Sequence, residues 1–424
     1  MKLAALALTL ALVIAAPAAT IAAESLTWTL AQPPDGPLSL DGGSLRYHAA
    51  TPVALTKSAA AHASARVVYG KAYFRFTARY RTTGPLAPTV LIHRAPEIDR
   101  RPLTLLRLPP APEWTTFTAD VLGHDPTNPT LELRLAPGTT EPLRMQEGGL
   151  EPAAGATGTA EFASVTWERL ARPVEELPRG SIAFTTRTVV FKTVGALELK
   201  LQLDEPARRT FPRAALVWFH GGGFVGGNPD SCRLQTSYFA SRGLFCIRPQ
   251  YRIVAQGGNV DATLADVADA LAWLRANAAD LNLDPTRLIL AGTSAGAVVG
   301  AVAAVDGRDC LGFIGLAGYY DALEPGDSAF DRRAPFFGNG DPALWRRISA
   351  RHRIVRPVPT LLIHGALDST LDARQSERFA AALIAAGAPA ETLFIPELNH
   401  VPNLAPPWAF ARIDAFIARL LERE

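Results

Sequence analysis

The sequence predicts an α/β domain built on a doubly wound, mostly parallel sheet, preceded by a separate all-β sandwich. Three observations lead there. From about residue 181 onward, short buried apolar runs alternate with amphipathic stretches at helical spacing, the pattern of strands joined by covering helices. In residues 24–170 helical periodicity is absent, and short alternating runs are separated by Pro, Gly and Asp. Between the two, residues 171–180 form a polar, proline-bearing join, the composition of a domain boundary.

Residues 1–23 read as a secretory signal peptide. Lys2 supplies the positive end, residues 3–16 are apolar, and small residues follow, with a cut after Ala23 and Ala18 or Ala22 as alternatives. The apolar run is short for a membrane span, and no later stretch is long enough. A secreted or periplasmic protein with no span after processing is therefore expected. The formal net charge of +2 and the lack of a basic block exclude nucleic acid as a partner. Cys232, Cys246 and Cys310 are too few for a disulfide scaffold, and Cys246 lies in an apolar run that suits a small buried residue. No metal-ligand cluster stands out.

In residues 24–170 the clearest strand is 73–80, where Phe74, Phe76, Ala78 and Tyr80 face one way and Arg75, Thr77 and Arg79 the other. Leu131, Leu133 and Leu135 alternate with Glu132 and Arg134; further strands are expected at 89–93, 103–108, 114–118 and 161–167, and residues 136–158 read as a long loop. The layout resembles the jelly-roll domains of extracellular carbohydrate-active proteins. Trp114, Tyr73, Tyr80 and Trp167 either stack on sugar rings or fill the core, where aromatics of alternating strands usually point. This domain holds no complete catalytic set and is expected to target rather than catalyse.

Residues 181–424 open with a hairpin, 188–193 and 197–203. A buried strand at 214–219 ends in His220-Gly221-Gly222-Gly223-Phe224, and another strand follows at 243–249. Residues 263–279 form a helix whose stripe is Leu264, Val267, Ala268, Leu271 and Leu274, with Asp266, Asp269 and Arg275 off it. Strands are expected at 286–291, 311–316, 358–364 and 391–395. A helix covers 374–386, and Ile413, Phe416, Ile417 and Leu420 give the last helix its apolar face.

The informative stretch is Gly292-Thr293-Ser294-Ala295-Gly296, a G-x-S-x-G turn between a buried strand and a small, apolar helix. That context is a nucleophile elbow, which lifts Ser294 above the sheet beside a helix N-terminus whose free N–H groups favour negative charge. The glycine turn after the earlier strand supplies what acyl transfer needs in addition: backbone N–H groups converging on one oxygen without side chains in the way. Gly222 and Gly223 are two such donors and Ala295 the third.

With H-G-G-G and G-x-S-A-G in hand, residues 181–424 resemble the α/β-hydrolase superfamily, closest to secreted or bacterial carboxylesterases and carbohydrate esterases of the acetyl xylan or feruloyl type. Hormone-sensitive-lipase-like esterases share both motifs but often carry an acidic residue where this chain has Thr293. The superfamily order of serine, acid, histidine then implies Asp368 in His364-Gly365-Ala366-Leu367-Asp368 as the acid, with Asp372 as competitor, and His400 in Glu397-Leu398-Asn399-His400 as the general base. His364 and His220 read as structural histidines at strand ends, His220 bracing the glycine turn. The resemblance implies a serine esterase that needs no cofactor or metal and acts on a small-molecule or polysaccharide ester. Alternatives are a formamidase-like amidase or peptidase of the same fold, and an inactive binding protein. Tyr319, Tyr320, Phe336, Phe337 and Trp345 either line the pocket or pack. Residues 321–353, the main insertion and the expected cover, are polar, with Asp327, Asp331, Arg332, Arg333, Arg346 and Arg347, unlike the apolar lid of a lipase.

Overall fold

A computed structural model describes residues 72–84, 88–93, 102–123, 158–307, 309–323, 334–338, 341–368, 370–400 and 405–422, together with the shorter strands before residue 158 given below. The signal-peptide reading of residues 1–23 lies outside the described residues, as does residue range 324–333 of the expected cover.

Every regular element among the described residues of the amino-terminal part is a β-strand. One antiparallel sheet runs Leu38–Asp41, Ser44–Ala49, Gly158–Arg169, Tyr73–Thr82, Thr115–Leu122, with Glu24–Ser25 also paired to Gly158–Arg169. The other runs Thr29–Ala31, His62–Val68, Thr130–Ala136, Thr89–His93, Pro102–Arg107. The alternation in strand Tyr73–Thr82 is reproduced: Phe74, Phe76, Ala78 and Tyr80 are buried while Arg75 and Arg79 are exposed. Tyr73, Tyr80 and Trp167 are core residues, and Phe74 stacks on Trp167 with ring centroids 5.2 Å apart. Trp114 is the exception; it precedes its strand, is 40% exposed and lies under the guanidinium groups of Arg79 and Arg81. The expected loop 136–158 contains a small hairpin, Arg144–Gln146 with Gly149–Glu151.

The carboxyl-terminal part is organised on eight strands: β1 (Phe184–Val194), β2 (Leu197–Pro206), β3 (Arg213–Phe219), β4 (Phe245–Pro249), β5 (Leu283–Thr293), β6 (Gly312–Leu316), β7 (Thr360–Gly365) and β8 (Ala390–Ile395). Their order across the sheet is β1-β2-β4-β3-β5-β6-β7-β8. The pairings of β1 with β2 and of β2 with β4 are antiparallel, and all later ones are parallel. Period-two side-chain alternation divides the strands between two cores. Ala215, Val217, Phe219, Leu288 and Leu290 face one; Ala214, Leu216, Trp218, Ile289 and Ala291 face the other.

Helices α2 (Val260–Ala276), α3 (Ala295–Val305) and α6 (Arg374–Ala385) cover the first face, and α1 (Arg233–Ala240) and α7 (Pro407–Leu421) the second. Two short helices, α4 (Ala334–Phe337) and α5 (Pro342–Ile348), lie in the insertion before β7. Helix α2 starts three residues earlier than its apolar stripe suggests, because Asn259 caps it by accepting from the Ala262 N–H at 2.9 Å. Its Asp266 departs from the expected outward position. The carboxylate is fully buried and bonded to Lys192 of β1 at 2.6 Å and Arg252 at 2.7 Å, which fasten helix to sheet. Tyr319, Tyr320, Phe336 and Phe337 are buried in the core on the α3 side, and Trp345 packs against it, so packing is the role the structure gives them. Cys232, Cys246 and Cys310 are free and buried, and burial pushes the Cys232 and Cys310 thiols up to about 12. No helix among the described residues is long and apolar enough to cross a membrane.

Candidate active site

Every site element stands at the carboxyl end of a parallel strand or in the loop that follows one. Strand β5 delivers Ser294 with φ 53° and ψ −120°, outside the ordinary regions for a non-glycine residue. Such a turn is possible because its flanks have no side chains. A Cβ on Gly292 would come within 2.2 Å of the Gly296 carbonyl oxygen, and one on Gly296 within 2.1 Å of the Phe219 carbonyl oxygen. Helix α3 follows at once, and all its residues are small or β-branched and buried, so it can enter close to the sheet. Below the elbow, the Thr293 hydroxyl accepts from the Trp218 indole N–H of β3 at 3.1 Å.

Around Ser294 three side chains line up. Ser294 Oγ is 3.0 Å from His400 Nε2, and His400 Nδ1 is 2.7 Å from Asp368 Oδ2. Asp368 leaves β7 in a turn and His400 stands in the loop after β8, so the parallel pairing of β7 with β8 carries both to the same end of the sheet. The Asp368 carboxylate is fully buried. Burial alone would raise its pKa, but the charge of His400 and the bond from His364 outweigh that and hold the acid well below the usual carboxylate range. Asp372, the competing acid of the sequence reading, is instead engaged by Arg374 in a turn of its own.

The glycine turn lies against the serine: a Cβ on Gly221 would be 3.3 Å from Ser294 Cβ. Gly222 at φ 121° occupies a backbone region that side chains rarely adopt, and its carbonyl takes the Gly226 N–H at 3.0 Å, which closes the turn. His220 anchors it from beneath. Its Nδ1–H donates to the Gly221 carbonyl at 2.8 Å, its ring stacks on Tyr251 at 4.1 Å, and the Tyr251 hydroxyl donates to the His220 carbonyl at 2.5 Å. Burial drops the His220 pKa to about 4, so the ring is neutral near pH 7. Phe224, next in the chain, stacks on Phe336 at 3.9 Å and fixes the far end of the turn to α4.

Sequence reasoning did not reach three contacts. His364 bonds Asp368, the backbone N–H groups of Thr370 and Leu371 hold the other carboxylate oxygen, and the amino-terminal sheet touches the turn before His400. There the Leu122 N–H donates to the Glu397 carbonyl at 2.9 Å, and Arg172, over the Tyr73 ring, donates to the Glu397 carboxylate at 3.0 Å. Tyr73 and Leu122 share a buried cluster with Leu398 and Phe410.

Residues 216–329 match the family model described as alpha/beta hydrolase fold. The chain is 24% identical to the solved Thermogutta terrifontis esterase 2 phosphonylated by sarin, over 59% of this chain and 98% of that one, with a TM-score of 0.50, which bears on fold alone. Esterase LipQ of Mycobacterium tuberculosis is 29% identical over 34% of this chain and 39% of its own length. Carboxylesterase NlhH of the same species is 29% identical over 36% of this chain and 46% of its own length. The chain thus spans less than half the length of these curated relatives. The strand order and the family match together establish an α/β-hydrolase fold with esterase homologues.

Proposed function

We propose that the protein is a serine carboxylesterase that hydrolyses short-chain acyl esters, acetyl first, carried on a carbohydrate or a similarly polar alcohol. The observation behind this reading is the alignment of Ser294 Oγ, His400 and Asp368 through contacts of 3.0 Å and 2.7 Å at the mouth of a strained elbow. In the proposed reaction His400 Nε2 takes the Ser294 proton as Oγ bonds to the ester carbonyl carbon. The N–H groups of Gly222, Gly223 and Ala295 hold the resulting oxyanion. When the carbon–oxygen bond to the alcohol breaks, His400 returns its proton to the departing alkoxide oxygen. Water, deprotonated by His400 in turn, then adds to the acyl carbon; the bond to Ser294 Oγ breaks, His400 returns the proton to Oγ, and the carboxylic acid leaves. Asp368 keeps Nδ1 protonated so that Nε2 stays free to accept, and it stabilises the imidazolium.

The names of the two mycobacterial relatives support ester hydrolysis as the activity class. The carbohydrate part rests on the apolar leader at residues 1–23, which suits a secreted or periplasmic protein, on the β-rich region at 24–170 read as a jelly-roll-like sandwich, and on the polar character of residues 321–353. The test is release of nitrophenol from a chromogenic acetate ester by the purified full chain, beside Ser294→Ala. Loss of the serine should lower kcat by about 10⁶, the scale of comparable triads. Near-native turnover by the folded variant overturns the reading.

A further inference from the structure

The buried acid of the site serves two histidines. Asp368 Oδ2 lies 2.7 Å from His400 Nδ1 and 3.0 Å from His364 Nε2, while Oδ1 takes the backbone N–H groups of Thr370 and Leu371 at 2.8 Å each. The side chains of His364 and Asp368 are both fully buried. Behind His364, the Ser376 hydroxyl of α6 is 2.9 Å from Nδ1. An ionised carboxylate only accepts, so His364 Nε2 carries the hydrogen of its contact with Asp368. A continuous chain of bonds therefore runs Ser376, His364, Asp368, His400, Ser294.

We propose that His364 is a positioning residue of the hydrolytic site: its N–H holds Asp368 Oδ2 in place and tempers the pull of that oxygen on the proton of His400. The proposal rests on the serine-hydrolase reading above. A carboxylate oxygen that already accepts one hydrogen bond stabilises a second, charged donor less. Without His364, Asp368 would bind protonated His400 more tightly, and the general base would stay protonated to higher pH. Few other charges confuse this reading. The titratable groups facing Asp368 among the described residues are these two histidines. Of the flanking strands, β8 presents Phe394 beside His364, and β6 presents Leu316 beside Ile363. Asp372 and Arg374 in the next turn are bonded to each other.

The experiment compares kcat/KM against pH for the full chain, His364→Phe and His364→Gln, with circular dichroism to verify folding and Ser294→Ala as the control on the reading itself. Phe keeps a ring but loses the donor; Gln keeps an N–H near the Nε2 position. His364→Phe should move the acidic limb to higher pH by roughly half to one unit. It should also lower plateau kcat about 10-fold, the worth of one hydrogen bond expressed as rate, with KM unchanged. His364→Gln should return the limb to its native position. A folded His364→Phe with a native limb, or a Gln variant shifted as far as Phe, overturns the proposal. Activity surviving in Ser294→Ala overturns the serine-hydrolase reading instead. Should His364→Phe fail to fold, Ser376→Ala replaces it; a shift in the same direction supports the proposal and a native limb overturns it.

Discussion

Gly296 stands so close to Phe219 that a Cβ added to it would reach within 2.1 Å of the Phe219 carbonyl oxygen. That contact lets α3 enter directly beneath the elbow, and it ties the nucleophile's turn to β3, the strand that ends in the glycine-rich turn. Gly296→Ala should therefore displace strand and helix together, costing at least about 1–3 kcal/mol and most of the activity. Gly226→Ala, where an added Cβ would lie 3.8 Å from the Gly222 carbonyl oxygen in ordinary contact, is the matched control and should melt near the native temperature. Thermal melts of the two variants check the contrast; equal melting temperatures would contradict it.

Asp368→Asn should lower kcat by roughly 10⁴, because an amide in this place can hold the wrong imidazole tautomer. Asp372→Asn should leave kcat near native, since that carboxylate is turned toward Arg374. Steady-state kinetics on one small ester checks both, and a larger loss in Asp372→Asn would exchange the two roles.

Stability should fall in mild acid through His220. Its pKa drops to about 4 in the fold, against about 6.5 in an unfolded chain. Between those values the unfolded chain binds a proton that the folded one does not, so stability is full above the upper value and is lost as pH falls toward the lower. From pH 7 to pH 5 the expected loss is about 2 kcal/mol. Urea unfolding at the two pH values measures it, and His220→Gln should remove this part of the difference; an unchanged difference in the variant would show that other groups cause it.

Substrate size is tested by kcat/KM across acetyl, butyryl, octanoyl and feruloyl esters of one alcohol. The proposed function expects the maximum at acetyl, with feruloyl as runner-up. Each added methylene shifts discrimination by only about 1–3 kcal/mol, so the trend over the series carries the result. A maximum at octanoyl would favour a lipid esterase.

The parts of this fold legible in the sequence are those written locally. Ser294 and its flanking glycines lie within five consecutive residues, and Gly222 and Gly223 follow directly on a buried run. The order of Ser294, Asp368 and His400 can be read from motif and strand position without knowing what touches what. The remainder depends on pairings across the chain. Asp266 reads as an outward residue of α2 until β1 brings Lys192 and the segment after β4 brings Arg252. Asp204 and Arg248, bonded at 2.8 Å and fully buried, belong to two strands whose adjacency no local pattern announces. Helix α1 carries no clear stripe in the sequence because its buried face includes Gln235 and Thr236. His364 reads as a strand-end histidine because its partner Ser376 comes from a helix packed on the sheet.

The turn before His400 is held by two parts of the molecule at once. Glu397 accepts from Leu122 through its backbone and from Arg172 through its side chain, three positions before the histidine. A fusion that replaced the amino-terminal sheets with an unrelated module would strip a hydrogen bond from the Glu397 carbonyl and uncover the apolar flank beside Leu398. The loop that carries His400 therefore depends on Tyr73, Leu122 and Arg172 for part of its anchorage.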